Sequence, residues 1–154
     1  MSSMMRGTTD NGLLAPEPDD DGAPFWEFAA RGELRMQACG RCGELRFPPR
    51  PCCPRCGAFD SEWRRMTGRG SIWSYVLPHP PLLPAYAARA PYNVVVVELA
   101  DAPHLRIPGN LVAAPDADID SVDPALLCIG APVRVTFARL AGGVVVPRWL
   151  LETS

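Results

Sequence analysis

Lysine is missing altogether: all 15 basic side chains in the 154 residues are arginine. Histidine is almost missing too, with only His79 and His104. Neither has a nucleophile or an orienting acid at motif spacing, as a general base requires. No GxSxG, Walker loop, GxGxxG or HExxH occurs, so the chain carries no recognisable catalytic constellation. Independent catalysis, such as thioester hydrolysis, would have to rest on His79 or Cys128. Nor does any stretch approach the roughly 20 apolar residues that a membrane-crossing helix needs. The opening MSSMMRGTTDNGLLAPEPDDDGAP lacks an apolar core of signal-peptide length. A cytoplasmic location, without membrane association, is the expectation.

Charge is small in total and uneven in place. The formal net charge is -2. Residues 1–33 hold two Arg against seven acids, residues 34–70 eight Arg against three, and residues 71–154 five Arg against seven. The central block is therefore basic. Four thiolates around one divalent ion would take about two charges back from it. A nucleic-acid-binding module is the alternative this pattern must answer, since phosphate binding goes with a dominant basic face. The acidic total argues against it.

Proline (18) and glycine (13) are plentiful, which favours strands and turns over long helices. Residues 1–23 are rich in Asp, Pro and Gly and read as a flexible leader. PFWEFAARGEL then has Pro24 at a first helical position, Asp21 upstream as candidate cap and Gly32 as terminator. A short helix over 24–31 follows, with Phe25, Trp26 and Phe28 as candidate anchors for a partner. Leu34–Gln37 and Leu45–Phe47 read as short strands flanking two cysteine knuckles. Further strands fall at Trp63–Thr67, in SIWSYVL, YNVVVVEL and HLRIPGNLVAA, and in the closing pair APVRVTFARL and VVVPRWLL. Asp123-Pro124 starts a helical turn between the later strands. A mainly β chain results: a ribbon over 24–62, then a small five-stranded Greek-key barrel over 63–154, for which the OB-fold is the best match. A sandwich is the competing architecture.

The strongest motif is Cys39-x2-Cys42, ten residues, then Cys53-x2-Cys56, each pair followed by Gly. Two residues between sulfurs let a tight turn aim both at one ion, and the glycine permits the left-handed backbone that closes the turn. Four thiolates make a tetrahedral zinc site with no position left for water, so the zinc is structural. Iron in the same geometry stays open. Cys53 is preferred to its neighbour Cys52 because it makes a matched CxxC. Cys128 reads as a small buried hydrophobe. Arg64, Arg65 and Arg69, at the junction of ribbon and barrel, suit phosphate through forked hydrogen bonds; charged edge-strand residues are the plainer reading.

Taken together, PFWEFAARGELRMQAC, CGRCGELRFPPRPCCPRCG, TGRGSIWSYVL, APYNVVVVEL, RIPGNLV and IGAPVRVTF resemble a family of zinc-ribbon plus OB-fold, acyl-CoA-associated proteins, known as domain of unknown function 35. The resemblance covers about residues 24–150. It implies an N-terminal helix, a rubredoxin-like ribbon and an OB barrel. It also implies a non-catalytic accessory subunit for a thiolase-like enzyme, such as a lipid-transfer-protein-type thiolase or aldolase. Such enzymes include some that degrade steroid or lipid side chains held as CoA thioesters. On this reading Arg64, Arg65, Arg69 and His79 are the candidates to contact acyl-CoA.

Overall fold

The computed structural model describes residues 12–153. Residues 1–11, which fall in the expected leader, lie outside the described residues.

The first helix, α1 (Ala23–Ala30), has proline in its first turn and ends at Gly32, which takes a positive φ of 76°. Gly22 is its N-cap residue and no side chain caps the first turn; the Asp19 carboxylate accepts from Gly22 N at 2.6 Å, in the turn just before the helix. Asp21, the candidate cap, does not serve, because the turn closed by Ala23 N on Asp19 O puts Gly22 at the N-cap position.

Strands β1 (Arg35–Cys39), β2 (Leu45–Arg46) and β3 (Ser61–Arg65) form a three-stranded antiparallel sheet with β1 in the centre. This is the ribbon. β3 pairs with β1 along its whole length, from Cys39↔Ser61 to Arg35↔Arg65. Trp63 lies at its centre, paired with Gln37.

The second sheet is built from β4 (Arg69–Val76), β5 (Val94–Leu99), β6 (Ala102–Gly109), β7 (Pro132–Arg139) and β8 (Val145–Leu151). Its order is β6-β5-β4-β7-β8, with every pair antiparallel. β5 shows why such a run must be a strand: Val95, Val97 and Leu99 are fully buried while the residues between them face a half-covered side. The sheet curls until its edges meet. Leu111, just past β6, bridges Trp149 of β8 in parallel, with Val112 N donating to Trp149 O at 2.9 Å and Trp149 N to Asn110 O at 3.0 Å. The result is the curled half-barrel of an OB-fold.

One buried side chain holds the seam. Asn93 donates through Nδ2 to Leu111 O (2.9 Å) and accepts from Leu111 N at Oδ1 (2.7 Å). A short helix, α2 (Pro84–Ala87), occupies the proline-rich loop after β4, and a 3-10 turn at Pro124–Leu126 starts from Asp123, which accepts from Ala125 N.

Ribbon and barrel share one core. Phe25, Leu34 and Met36 from the ribbon side are continuous with Ile72, Val97, Ile107 and Trp149 from the barrel. The connection between the sheets is bonded to both. Met66 N donates to Leu34 O in the ribbon, Thr67 N to Asp101 Oδ2 in the barrel, and Gly68 O accepts from Val135 N. Among the described residues no helix is long and apolar enough to cross a membrane.

Candidate metal centre

Two turns of matching design bring four sulfurs together. In the first, Cys39 ends β1, Gly43 N donates to Cys39 O (3.0 Å), and Gly43 has a φ of 79°. In the second, Gly57 N donates to Cys53 O (2.9 Å) and Gly57 has a φ of 77°. A side chain at either glycine would be strained at that φ, which is why each knuckle ends in Gly.

The sulfurs of Cys39, Cys42, Cys53 and Cys56 all lie within 4.8 Å of one another. Cys39 Sγ is 3.5 Å from Cys56 Sγ, and Cys42 Sγ is 3.7 Å from Cys53 Sγ. A tetrahedron with zinc–sulfur bonds of about 2.3 Å has edges of about 3.8 Å. The cluster fits that ion and leaves no open ligand position. Cys52 stands outside it, with its thiol on Gly57 O at 3.3 Å. Cys128 is exposed, not buried, so the packing role read from its apolar neighbours does not hold.

Two of the four sulfurs are prepared for negative charge. Backbone N–H groups of Cys42 and Arg41, each 3.4 Å from Cys39 Sγ, pull that thiol down to about 6. Cys53 is lowered in the same way, first by the N–H of Cys56. Cys42 is pushed up to about 11: the Glu44 N–H lowers it, but desolvation and the adjacent Cys53, Cys39 and Cys56 outweigh that. Four thiolates at this spacing need a cation among them, and zinc supplies it. Glu44 joins the two knuckles, and His104 Nε2 on β6 lies 3.2 Å from the neighbouring Leu45 O. Glu44 pairs with Arg55 of the second knuckle at 2.8 Å and lies 3.9 Å from His104.

The remaining sequence candidates are spread out. Phe25 is buried in this chain's own core, edge-on to Trp26 at 4.9 Å and near Phe47 at 5.8 Å. Phe28 is half-buried, with the Arg35 guanidinium 4.3 Å from its ring centre. Trp26 is half-buried and faces a cleft described below. Arg64, Arg65 and Arg69 are exposed, and each has a carboxylate within reach: Glu62 at 3.6 Å, Glu33 at 3.4 Å and Glu152 at 3.8 Å. His79 is exposed in the loop after β4, on a different element from the three arginines.

Sequence reading missed that cleft, of about 480 Å³, between α1, the end of β6, β8 and the segment 13–19. Within that segment Leu14 N donates to Tyr86 OH at 3.2 Å. Arg148 lines the cleft and is 5% exposed. Burial lowers its pKa, with Asp118 opposing. The signal was there to read: Arg148 is the one charge inside the apolar run VVVPRWLL.

A four-thiolate ribbon, fused through a shared core to a curled five-stranded barrel, defines a zinc-ribbon/OB-fold protein. The chain belongs to the ChsH2 family: residues 26–62 match its rubredoxin-like zinc ribbon domain and residues 63–138 its C-terminal OB-fold domain. It is 42% identical over 106 residues to a "Probable enoyl-CoA hydratase alpha subunit" of Thermomonospora curvata, covering 67% of this chain and 32% of that one. It is 32% identical over 125 residues to the "3-oxo-4,17-pregnadiene-20-carboxyl-CoA hydratase alpha subunit" of Mycobacterium tuberculosis, covering 81% and 36%. The chain thus spans about a third of the length of these two subunits. A "DUF35 domain-containing scaffold protein" of Methanothermobacter thermautotrophicus is 32% identical over 111 residues, covering 71% of this chain and 75% of that one. Among solved structures, a chain of an "Ltp2-ChsH2(DUF35) aldolase" superposes with a TM-score of 0.77 at 32% identity, covering 90% of this chain and all of that one.

Proposed function

We propose that this chain is a cytoplasmic, non-catalytic accessory subunit of a thiolase-like acyl-CoA enzyme, of the lipid-transfer-protein-type thiolase or aldolase class, acting in the degradation of steroid or lipid side chains. One observation carries the reading: the chain matches, over that chain's entire length, a component of a solved aldolase assembly. The scaffold-protein names of the archaeal relatives point the same way. The zinc geometry agrees, because a metal with four sulfur ligands builds structure and activates no water.

On this reading Trp26 and Phe28 on α1 belong to the partner-facing side, with Phe25 fixing the helix from beneath. Arg64, Arg65 and Arg69 would meet the phosphates of an acyl-CoA held by the partner, exchanging their present surface carboxylates for them, and His79 would approach from its own loop. Surface ion pairs of this kind are weak, so the exchange costs little.

The test is co-purification. Tagged protein expressed in its native host should bring down a CoA-dependent lyase or thiolase in a defined ratio, and that enzyme should be less stable when the small chain is deleted. Recovery of the tagged chain with no CoA-linked enzyme would defeat the proposal.

A further inference from the structure

The ribbon sheet ends in an open edge. Its order is β2-β1-β3, so β3 is paired on one side only. The bonds from β3 to β1 alternate along the strand. Gly40 N donates to Asp60 O and Met66 N to Leu34 O, so the even-numbered residues from 60 to 66 turn their N–H and C=O groups toward β1. Ser61, Trp63 and Arg65 turn theirs away. Among the described residues these outward groups have one bond, from Arg35 Nη1 to Trp63 O, at a long 3.4 Å. Charged side chains commonly guard such an edge. Here they are engaged with one another: Glu62 and Arg64 pair at 3.6 Å on one face, and Arg65, on the other, pairs with Glu33 at 3.4 Å.

A pocket of about 320 Å³ opens beside the edge. Ser61 and Trp63, whose backbone groups are free, line it together with Phe59, Gln37, Asp20 and Asp21. Gln37 is committed, its Oε1 accepting from Arg46 Nε at 2.7 Å and from Arg50 N at 2.8 Å. Phe59 is 77% exposed. Asp20 and Asp21 are exposed and make no hydrogen bond or ion pair among the described residues, and no basic side chain lines the pocket. The two features together specify an occupant. Open backbone accepts an extended segment as a fourth strand, and carboxylates beside aromatic rings accept a cationic side chain.

We infer that β3 is the docking edge for an extended segment of a partner protein, one that carries arginine or lysine where it passes the pocket. The outward N–H and C=O groups of Ser61, Trp63 and Arg65 form the new ladder, and Arg35 gives up its weak bond to Trp63 O. The basic side chain lies among the Asp20 and Asp21 carboxylates and the rings of Phe59 and Trp63. The Trp63 ring is 6.5 Å from that of Phe28, so the edge continues the partner-facing side of α1. The inference rests on the reading of this chain as a subunit and adds how its partner is held.

The experiment is a titration of the full-length, zinc-loaded, 15N-labelled chain with acetyl-Thr-Thr-Val-Arg-Val-Thr-Thr-amide, whose β-branched residues favour an extended backbone. A second titration uses the same peptide with Glu in place of Arg. The arginine peptide should shift the Ser61, Trp63 and Arg65 amide resonances saturably, more than those of Glu62 and Arg64, and bind at least tenfold tighter than the glutamate peptide. Asp20→Asn combined with Asp21→Asn should bring the two peptides within threefold of each other. Ser61→Pro removes one outward N–H, a change that an edge strand tolerates, and should weaken the arginine peptide at least tenfold. Equal affinity for the two peptides, no saturable shift with millimolar arginine peptide, or shifts centred on another surface overturns the inference. If Ser61→Pro does not fold, the paired Asp substitutions decide: an undiminished preference for the arginine peptide rejects the site. Co-purification of a CoA-linked enzyme alongside a peptide-inert β3 would sink the docking edge alone and leave the subunit reading standing.

Discussion

Replacing Asn93 with leucine should open the barrel at its seam. The side chain is 2% exposed and makes both of its hydrogen bonds to Leu111, whose residue exposure is zero. Leucine has the same number and branching of side-chain heavy atoms and offers neither donor nor acceptor. The substitution therefore leaves the Leu111 N–H and C=O buried without partners, each at a cost of about 1–3 kcal/mol. Together they amount to about 2–6 kcal/mol, a large part of the stability of an ordinary domain. For a chain of this size each kcal/mol moves the melting temperature by about 2–4 °C, so a fall of about 4–24 °C is expected. Melting should be followed by circular dichroism with zinc in excess, to hold the metal's contribution constant. Hydrogen exchange at the Leu111 amide gives the local readout and should speed up far more than exchange at Val97, in the middle of β5. A variant that melts within 1 °C of the parent and keeps Leu111 protected would refute the clamp.

Three further outcomes follow from the geometry. Cys39→Ser should release zinc and unfold the ribbon, because metal binding worth on the order of 10 kcal/mol is coupled to its folding; Cys52→Ser should retain one zinc per chain by elemental analysis, since that thiol is outside the cluster. Gly70→Ala should destabilise the chain by about 1–3 kcal/mol through overpacking: the added carbon would lie 2.5 Å from Glu98 O and 2.6 Å from Val97 Cγ1, which denaturant unfolding would register. Glu33 has its pKa lowered, first by the hydrogen bond from Arg35 at 2.8 Å; a lowered carboxylate stabilises the fold above its ordinary pKa and loses that contribution as pH falls. Melting temperature plotted from pH 6 to pH 3 should therefore drop less steeply in Glu33→Gln than in the parent, and superimposable curves would show the pair to be inert.

What the sequence made legible was what local pattern determines. The four cysteines could be grouped because a CxxCG knuckle is built within five residues. YNVVVVEL could be read as a buried strand because few other environments absorb four consecutive valines. Where long-range pairing decides, pattern was less informative. SIWSYVL alternates like a plain strand, yet its register with β5 shifts between Ile72 and Ser74, leaving Trp73 exposed beneath the Arg106 guanidinium at 4.0 Å. Gly22 took the N-cap position from Asp21 because a turn closed by Ala23 N on Asp19 O starts the helix one residue later than the pattern suggested. The cleft was out of reach altogether: its walls come from positions as far apart as Leu13 and Arg148, which only the folded chain brings together.

The three residues between β3 and β4 leave no slack. Met66 is fastened to one sheet and Thr67 and Gly68 to the other, so the ribbon cannot swivel against the barrel without breaking those bonds. A protein that grips the knuckles thereby also sets which way the barrel mouth points, over a distance that it never touches. The zinc would then act as an aiming device.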